Sequence, residues 1–524
     1  MKTRNLLAAG ALALFGLTAC VDLDVENLNA PDAERALATA GDVESLISGS
    51  FRQWWNSNSF FGSMSPILTA ASFQNSPAAA NSGMVEYSGF PRPPVGNDPA
   101  DQFYGNWNSI FQQNYRAVSA VVDGLVAVNE GQVTLSQETR ARAFGYFVLG
   151  LAHATVAVNF DQGYIYDPEV TREEVQEAGL QPYPEVMAAA QGYFDRAIQY
   201  AQQGSFTIPD SWMSRNVNQD QLIRLAYTYK ARYMAASART PQERENLDWV
   251  QIQGWLDNGI AETYQMNLDF TNWWSSVVWN LHRGGAWGLM SYFVLGMADQ
   301  SGSYQEWMSL PVSERHPELP GGNFYVITDD TRFPQGSTQE EQIANPGSKY
   351  ILPASGALRA WVRPDRGTFR WSYYYNNEFD EWRQVDGLFD EIHIAEVDML
   401  RAEGYYHRGQ PENAVPLVNA WRTANGLSAT DAAGTNDSCV PRLPNGDCGG
   451  LFEMIKWEKR LETQWRGQQA APWFFDSRGW GDLAEGTFLS LPVPSGELQN
   501  LGVPVYTLGG VGQEGGAPVG TYGY

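Results

Sequence analysis

The chain has 524 residues, with 59 acidic and 34 basic side chains and a formal net charge of −25 at pH 7. This excess of acid argues against nucleic-acid binding, because contact with a phosphate backbone depends on lysine and arginine. With 43% hydrophobic residues the chain can bury a large core, which excludes an intrinsically disordered protein.

The first 19 residues have the pattern of a secretory leader. Lys2 and Arg4 form a basic start, residues 6–17 are apolar and uncharged, and small residues precede Cys20. The apolar run is shorter than the roughly 20 residues that span a bilayer, so we predict a cleaved signal peptide at 1–19 rather than a membrane helix. Cleavage removes two bases and no acid, which leaves a net charge of −27 on a product that starts at Cys20.

The sequence around Cys20 resembles a bacterial lipobox. That resemblance implies a diacylglycerol on the sulfur and an acyl group on the nitrogen, which together make a lasting membrane anchor. The alternative is an ordinary cleaved signal followed by a free cysteine.

With Cys20 assigned to lipid, Cys439 and Cys448 remain as a candidate disulfide in a surface loop. An exported protein meets an oxidising compartment, which favours that pairing. Two free thiols or a metal site are the alternatives, although no histidines lie nearby to complete a set of four ligands.

After an acidic tether at 20–30, the sequence predicts a series of helices. In one of them Ala143, Phe147, Leu151 and Val158 recur at helical spacing and form one apolar face. Each such face needs a neighbouring helix to cover it, which is typical of antiparallel helical repeats. The predicted helices cover 31–55, 103–128, 138–159, 183–203, 219–238 and 247–264.

The segment 395–422 resembles a tetratricopeptide-type hairpin. Ala402 lies on its first helix, Gly409 and Pro411 belong to the turn, and Val418 faces back from the second helix. The 34-residue consensus is not cleanly repeated along the chain, so we expect divergent units.

Three stretches of the last third resemble the SusD/RagB family of outer-membrane glycan-binding lipoproteins. They are 392–405 with 418–427, 457–467 with 473–481, and 491–498. The lipobox, 106–114, 143–159 and 330–332 agree more weakly. The resemblance implies a mostly α-helical, tetratricopeptide-like superhelix with a long irregular insert that contains short strands.

The same resemblance implies a function and partners. Such proteins bind nutrients, usually oligosaccharides, without chemical turnover, and lie over a TonB-dependent transporter of the SusC type. The expected organisation is an N-terminal helical repeat region at 31–270, an aromatic-rich insert at 271–390 that carries the ligand surface, and a C-terminal helical region at 391–524, with 20–524 forming one unit. The expected location is the surface of the outer membrane, with the protein attached through lipid on Cys20.

The candidate ligand surface is inferred from aromatic residues that cannot all occupy one narrow core stripe. Adjacent pairs such as Trp54 with Trp55 and Trp273 with Trp274 point about 100° apart on a helix, and the tyrosines at 373–375 would alternate faces in a strand. Sugar rings pack on such aromatic faces, although core packing is the alternative for each residue. From local composition we predict ligand contacts at Asn75, Tyr87, Arg92, Trp287, Tyr292, Tyr304 and Trp307.

The charged residues of the predicted helix at 451–466 favour a structural role. Glu453, Lys456, Arg460, Glu462 and Arg466 lie three or four residues apart, so we expect them to pair along a solvated face. Catalysis by Glu458 with Glu462, or by Glu396 and Glu403, is the alternative, because a glycosidase needs two carboxylates across a cleft.

The sequence therefore predicts a binding protein with no catalytic residues, no metal and no cofactor. A surface glycoside hydrolase is the second hypothesis. A scaffold that binds peptides or other nutrients within the same transport complex is the third.

Overall fold

The computed structural model describes residues 37–60, 62–77, 82–282, 287–311, 314, 324–352, 372–379, 386–468 and 472–520. Cys20, the signal peptide and the tether lie outside these residues. The α-helices of the first half are α1 Ala40–Ser59, α2 Ser65–Ala71, α3 Met84–Ser88, α4 Tyr104–Asn129, α5 Glu138–Asn159, α6 Arg172–Ala178, α7 Tyr183–Ala201, α8 Asp210–Met213, α9 Gln219–Ser237, α10 Pro241–Glu245 and α11 Trp249–Asp257. Those of the second half are α12 Tyr292–Ala298, α13 Ser303–Ser309, α14 Gln339–Ala344, α15 Ile394–His407, α16 Pro411–Ala424, α17 Leu451–Thr463, α18 Pro472–Trp480 and α19 Ser495–Asn500, and a π-helical turn covers Val278–His282.

The strands are short and form two-stranded antiparallel pairs. They are β1 Ser76–Pro77, β2 Gln162–Gly163, β3 Gln181–Pro182, β4 Thr207–Ile208, β5 Val217–Asn218, β6 Tyr264–Asp269, β7 Gly288–Leu289, β8 Tyr350–Ile351, β9 Tyr375–Asn376 and β10 Asp386–Ile392. The pairs are β1 with β7, β2 with β3, β4 with β5, β8 with β9, and β6 with β10. The last pair is the longest and runs from Tyr264 opposite Ile392 to Asp269 opposite Asp386. The predicted fold class, mostly helical with short strands in the insert, is confirmed.

Two predicted helices differ in extent from the structure. Residues 37–39 lie outside the first described helix, which begins at Ala40, because Thr39 Oγ1 accepts a hydrogen bond from the Asp42 N–H at 3.2 Å and caps it. Residues 31–36 of the predicted helix lie outside the described part of the chain. The helix predicted over 247–264 is only α11, which ends at Asp257. Beyond it Tyr264 starts β6, whose alternating burial follows the two-residue period of a strand.

Helix α5 is buried on all sides. It packs against α1, α4, α7 and α9, and its glycines allow close approach, since a Cβ atom at Gly150 would lie 2.7 Å from the Phe194 ring. By length and composition α5 alone among the described helices could cross a membrane, but 94% of its most apolar window is buried inside the protein. This burial identifies it as a core helix.

His153 lies within α5 as a neutral, fully buried imidazole. Its Nδ1 lies 2.8 Å from the Leu149 carbonyl oxygen, and its Nε2 accepts from the Tyr166 N–H at 3.3 Å. The donor at Nδ1 and the acceptor at Nε2 together fit the neutral ring. Burial lowers the pKa of His153 from 6.5 to about 4.

We expect His153 to make the folded state sensitive to acid. Between pH 6.5 and 4 His153 is protonated in the unfolded chain but stays neutral in the folded protein. The free energy of unfolding therefore falls as the pH is lowered through this window, and His153 contributes up to about 3 kcal/mol of the loss. The variant His153→Asn should lose less stability than the wild type over the same window, measured by urea unfolding at each pH. Equal losses in the two proteins would show that His153 does not contribute.

The predicted hairpin at 395–422 is present as α15 and α16. Ala402, Ala414 and Val418 are fully buried between the two helices and α17. Gly409 has a φ of 68° in the turn, a left-handed conformation that glycine adopts without steric cost.

The buried apolar residues form three clusters. The largest joins the N-terminal helices to C-terminal residues such as Phe474, Phe488 and Leu491. A second lies within the insert and against Trp457 of α17, and the third holds α15, α16 and α17 together. The two ends of the described chain therefore share one core.

Most of the charged residues predicted to form a solvated face are buried, so that face is wrong. Glu453 is partly buried and pairs with Lys456 at 2.7 Å, as the spacing predicts, and Arg466 is buried just beyond the end of α17. Lys456, Glu458, Lys459, Arg460 and Glu462 are all buried, because α15, α16, α18 and the insert surround the helix. Their charges are paired inside the protein: Lys456 and Arg460 with Asp482, Lys459 with Asp476, and Glu458 and Glu462 with Arg332.

Glu396 and Glu403 have the same kind of environment. Arg232 Nε lies 2.8 Å from Glu396, and Arg244 Nη2 lies 2.7 Å from Glu403 and 2.9 Å from Asp476. These carboxylates hold helices together, as the structural interpretation of them predicts.

Cys439 and Cys448 form a disulfide in a loop between α16 and α17. Arg422 anchors the same loop by donating to the Val440 carbonyl at 2.8 Å and to Asn436 Oδ1 at 3.1 Å.

Candidate functional site

The structure buries most of the predicted ligand residues. Apart from Trp287, which is partly buried, each side chain is exposed by 5% or less: Asn75, Tyr87, Arg92, Tyr292, Tyr304 and Trp307. The insert has a hydrophobic core of its own, in which the Tyr292 and Trp307 rings lie 4.3 Å apart. Arg92 donates to the Ala71 carbonyl at 3.1 Å, with its guanidinium carbon 4.9 Å from the Phe90 ring centre. The six buried side chains are therefore packing residues rather than parts of an exposed surface, and Trp287 stays a prediction.

Adjacent aromatics are buried together as well. Trp54 and Trp55 are both fully buried because α1 has neighbours on several sides, and their indoles donate to Thr155 Oγ1 and to the Trp274 carbonyl. The three tyrosines at 373–375 are also buried. Among the adjacent tryptophans and the tyrosines at 373–375, Trp274 is partly exposed. It lines a cleft.

The larger open cleft, which we name the tyrosine cleft, has a volume of ≈ 1100 Å³. Its walls are α4, the segment after β2, α6 and α19. The aromatic residues that line it are Phe111, Tyr115, Tyr164 and Tyr166, and the polar ones are Gln112, Arg116, Ser119, Asp123, Arg172, Gln176, Glu497 and Asn500.

Hydrogen bonds fix the tyrosine side chains of this cleft. Tyr115 donates from its hydroxyl to the Tyr164 carbonyl at 2.9 Å, and Tyr164 donates to Glu497 Oε1 at 2.7 Å. Burial raises the pKa of both phenols, with Glu497 adding to the effect at Tyr164, so both are protonated at neutral pH. The rings are held in place before any ligand arrives.

An ion pair crosses the same cleft. Arg172 of α6 donates to both carboxylate oxygens of Asp123 on α4, at 2.8 and 3.0 Å. Its Nε also lies 3.4 Å from the Tyr166 hydroxyl. The charges of Arg172 and Asp123 therefore balance one another across the mouth of the cleft.

A second open cleft, which we name the tryptophan cleft, has a volume of ≈ 670 Å³. It lies between the C-terminal end of α1, α4 and the loop after β6. The residues that line it are Gln53, Asn56, Ser59, Phe60, Ser109, Gln113, Arg116, Phe270, Thr271 and Trp274. Among these described residues none is acidic, and Arg116 is the one charged side chain.

Asp269 shapes the loop that carries Phe270 and Trp274. Its Oδ1 accepts hydrogen bonds from the backbone N–H groups of Thr271, Asn272 and Trp273 at 2.7 to 2.9 Å. Burial acts to raise the pKa of Asp269, but these N–H groups outweigh it and the pKa lies below its usual value. The charged carboxylate thus holds the loop in the shape that leaves Phe270 49% exposed.

Polar atoms at this cleft lack partners. Ser59 Oγ and Gln113 Oε1 are buried and make no hydrogen bond within the described part of the chain. Buried polar atoms in native proteins nearly always have a partner, so a bound water is the expected partner of each.

The two clefts form one groove along α4. Ser109, Gln113, Arg116, Ala120 and Asp123 recur three or four residues apart, so they lie on one face of the helix, and the first and last are about 21 Å apart along its axis. Arg116 lines both clefts. We call the two clefts together the α4 groove.

The carboxylates with the most strongly raised pKa lie elsewhere. Burial raises the pKa of Glu391 and of Glu458 to about 7, against the opposing effect of Arg232 and Arg332 respectively. Glu391 lines a small cavity of ≈ 40 Å³, and Glu458 is buried in α17. Across the described part of the chain, no three His, Cys, Asp or Glu side chains are grouped so as to hold a metal ion.

No protein-family model matches the sequence, and neither does any curated protein. Solved structures do match. A SusD-like protein from Bacteroides fragilis NCTC 9343 aligns over 91% of this chain and 98% of its own length, with a TM-score of 0.52 and 14% identity. A SusD superfamily protein from Bacteroides fragilis gives 88% and 97% coverage, a TM-score of 0.52 and 13% identity, and one from Bacteroides vulgatus ATCC 8482 gives 88% and 90% coverage, a TM-score of 0.50 and 13% identity.

The chain has the SusD-like fold. The resemblance that we inferred from the motifs of the last third is therefore confirmed as a likeness of fold. At this level of identity the likeness leaves the ligand open, and the case for a ligand depends on the groove itself.

Sequence reasoning missed most of the groove, although signals for it exist. One face of α4 is buried, and Ser109, Gln113 and Arg116 recur at helical spacing outside that face. The segment that contains Tyr164 and Tyr166 lies between α5 and α6. These two tyrosines do not lie at helical spacing, which is a signal for a loop with aromatic side chains.

Proposed function

We propose that this protein binds an oligosaccharide in the α4 groove and delivers it to a transporter. The observation that carries the proposal is the pairing of exposed aromatic faces with amide, hydroxyl and guanidinium groups along one helix face. The SusD-like fold is consistent with it, since the resemblance of the motifs implies glycan binding.

The chemistry of the groove suits sugars. The polarised C–H face of a sugar ring packs on an aromatic ring, and Phe270, Trp274 and Tyr166 are partly or well exposed for this purpose. Amides such as Gln112 and Asn56 can both donate to and accept from sugar hydroxyls. A preformed groove also limits the ordering cost of binding.

Binding without turnover is the second part of the proposal. Two acidic side chains line the tyrosine cleft, and both have partners: Asp123 is paired with Arg172, and Glu497 accepts from Tyr164. A glycosidase needs one carboxylic acid and one carboxylate free to act on the same bond. The arrangement favours a binding protein over the hydrolase hypothesis.

The proposed location is the surface of the outer membrane. The leader at 1–19 and the lipobox support a lipid anchor at Cys20, and the family resemblance supports a SusC-like TonB-dependent transporter as partner. The residues from Cys20 to the tether would then connect the folded part to the membrane.

Isothermal titration of the mature protein against a panel of neutral and acidic oligosaccharides tests this function. We expect at least one oligosaccharide to bind and to be recovered intact after prolonged incubation. Binding of peptides alone would favour the third hypothesis, and release of new reducing ends would favour the hydrolase.

A further inference from the structure

Arg116 occupies a particular place in the α4 groove. It lines the tyrosine cleft and the tryptophan cleft, its side chain is exposed, and it makes no hydrogen bond or ion pair to any described residue. An arginine offers five N–H donors in a planar fork that matches the oxygens of a carboxylate or a sulfate.

Neighbouring arginines are already engaged. Arg172 is paired with Asp123, Arg140 with Glu44, and Arg52 donates to Asn272 Oδ1 at 3.0 Å. The unpaired state of Arg116 is therefore a local feature of the groove rather than a general property of arginines in this region.

The charges around the groove are distributed unevenly. The chain as a whole carries a net charge of −25, yet the tryptophan cleft has no acidic residue among the described residues that line it. In the tyrosine cleft the charge of Asp123 is balanced by Arg172. Glu497 accepts a hydrogen bond from Tyr164, and none of the described residues that line this cleft forms an ion pair with it. Asp269 adjoins the tryptophan cleft, but its carboxylate accepts hydrogen bonds from the backbone N–H groups of its own loop. A ligand anion is thus favoured at Arg116 and disfavoured near Glu497.

We propose that the ligand of the α4 groove is an acidic oligosaccharide whose anionic group binds Arg116. This inference rests on the proposed function and specifies its ligand. The acidic ring, a uronate or a sulfated sugar, packs against Trp274 and Phe270 in the tryptophan cleft. A neutral part of the chain extends into the tyrosine cleft.

The test compares matched pairs of oligosaccharides by isothermal titration with the mature protein. Each uronate-containing member of the panel is measured beside its carboxyl-reduced form, and each sulfated member beside its desulfated form, which separates the two sources of negative charge. We expect at least one acidic member to bind with an affinity ~10-fold higher than that of its neutral partner, because one charge-assisted hydrogen bond supplies a free energy of that size. Added salt should reduce the difference.

Two variants locate the effect. Arg116→Gln should bring the affinity of the acidic member down to that of its neutral partner and leave the neutral partner nearly unchanged. Arg408→Gln changes the charge equally at the end of α15, outside the residues that line either cleft, and should leave the preference intact.

The outcomes separate the two proposals. If neutral oligosaccharides bind as tightly as acidic ones, the acidic ligand is wrong, and if Arg116→Gln keeps the preference, the binding of the anionic group by Arg116 is wrong; oligosaccharide binding stands in both cases. If no oligosaccharide of either kind binds, both proposals fail.

Discussion

Replacement of Arg332 by methionine is expected to lower the free energy of unfolding by about 3 to 5 kcal/mol, as loss of one partner from a buried ion pair does. Arg332 is fully buried and contacts three carboxylates: Asp330 at 2.7 Å, Glu458 at 2.9 Å and Glu462 at 2.9 Å. Lys349 lies 2.6 Å from Glu462 and Arg422 lies 3.6 Å from Glu458, whereas Arg332 contacts all three carboxylates. Methionine fills much of the same space and removes the charge, so the loss reports electrostatics more than a cavity.

Chemical denaturation of the mature wild type and of the variant measures this loss. A matched control is Arg196→Ala, because Arg196 forms an ion pair with Glu169 in which both side chains are 40% or more exposed. That change should cost less than about 1 kcal/mol. Equal losses at the two positions would contradict a structural role for the buried charges.

Replacement of Trp274 by alanine is expected to weaken oligosaccharide binding by about 30-fold, which corresponds to about 2 kcal/mol for the loss of a central aromatic anchor. The Trp274 ring lines the tryptophan cleft and lies 5.8 Å from the Trp279 ring. The buried hydrogen bond at this residue joins its main-chain carbonyl to Trp55 Nε1, so alanine keeps it. The variant should therefore fold and lose affinity.

The measurement is a titration with an oligosaccharide that binds the wild type. Trp255→Ala provides the control, because Trp255 is also partly buried but lies on α11 and lines neither cleft. Affinity that survives in Trp274→Ala and falls in Trp255→Ala would place the ligand away from the α4 groove.

Helical periodicity predicts well where the helices are. It does not predict whether a charged face contacts solvent or is buried against other charged residues. The helix α5 follows from residue spacing, although it is buried on all sides rather than on one face, and the hairpin of α15 and α16 follows from its resemblance to a tetratricopeptide unit. On α17 the same spacing of opposite charges suggested a solvated face. A helix that pairs its charges with Arg332, Asp476 and Asp482 from other parts of the chain has an identical sequence pattern.

The candidate site shows a similar limit. Local composition shows where aromatic residues are concentrated. Whether each aromatic side chain is buried depends on elements that are distant in sequence. Tyr292, Tyr304 and Trp307 pack with one another and with Phe324, whereas Trp274 is left partly open because Asp269 turns its loop outward. Arg116 could not be recognised from sequence, since the absence of an acid around it is a property of the assembled groove.

A crystal structure of the protein with its tightest-binding oligosaccharide tests the central claim most directly. We predict an intact ligand along α4, with a sugar ring against Trp274, an anionic group on Arg116 and further rings toward Tyr166. A ligand bound on another face, or found cleaved, would contradict the account.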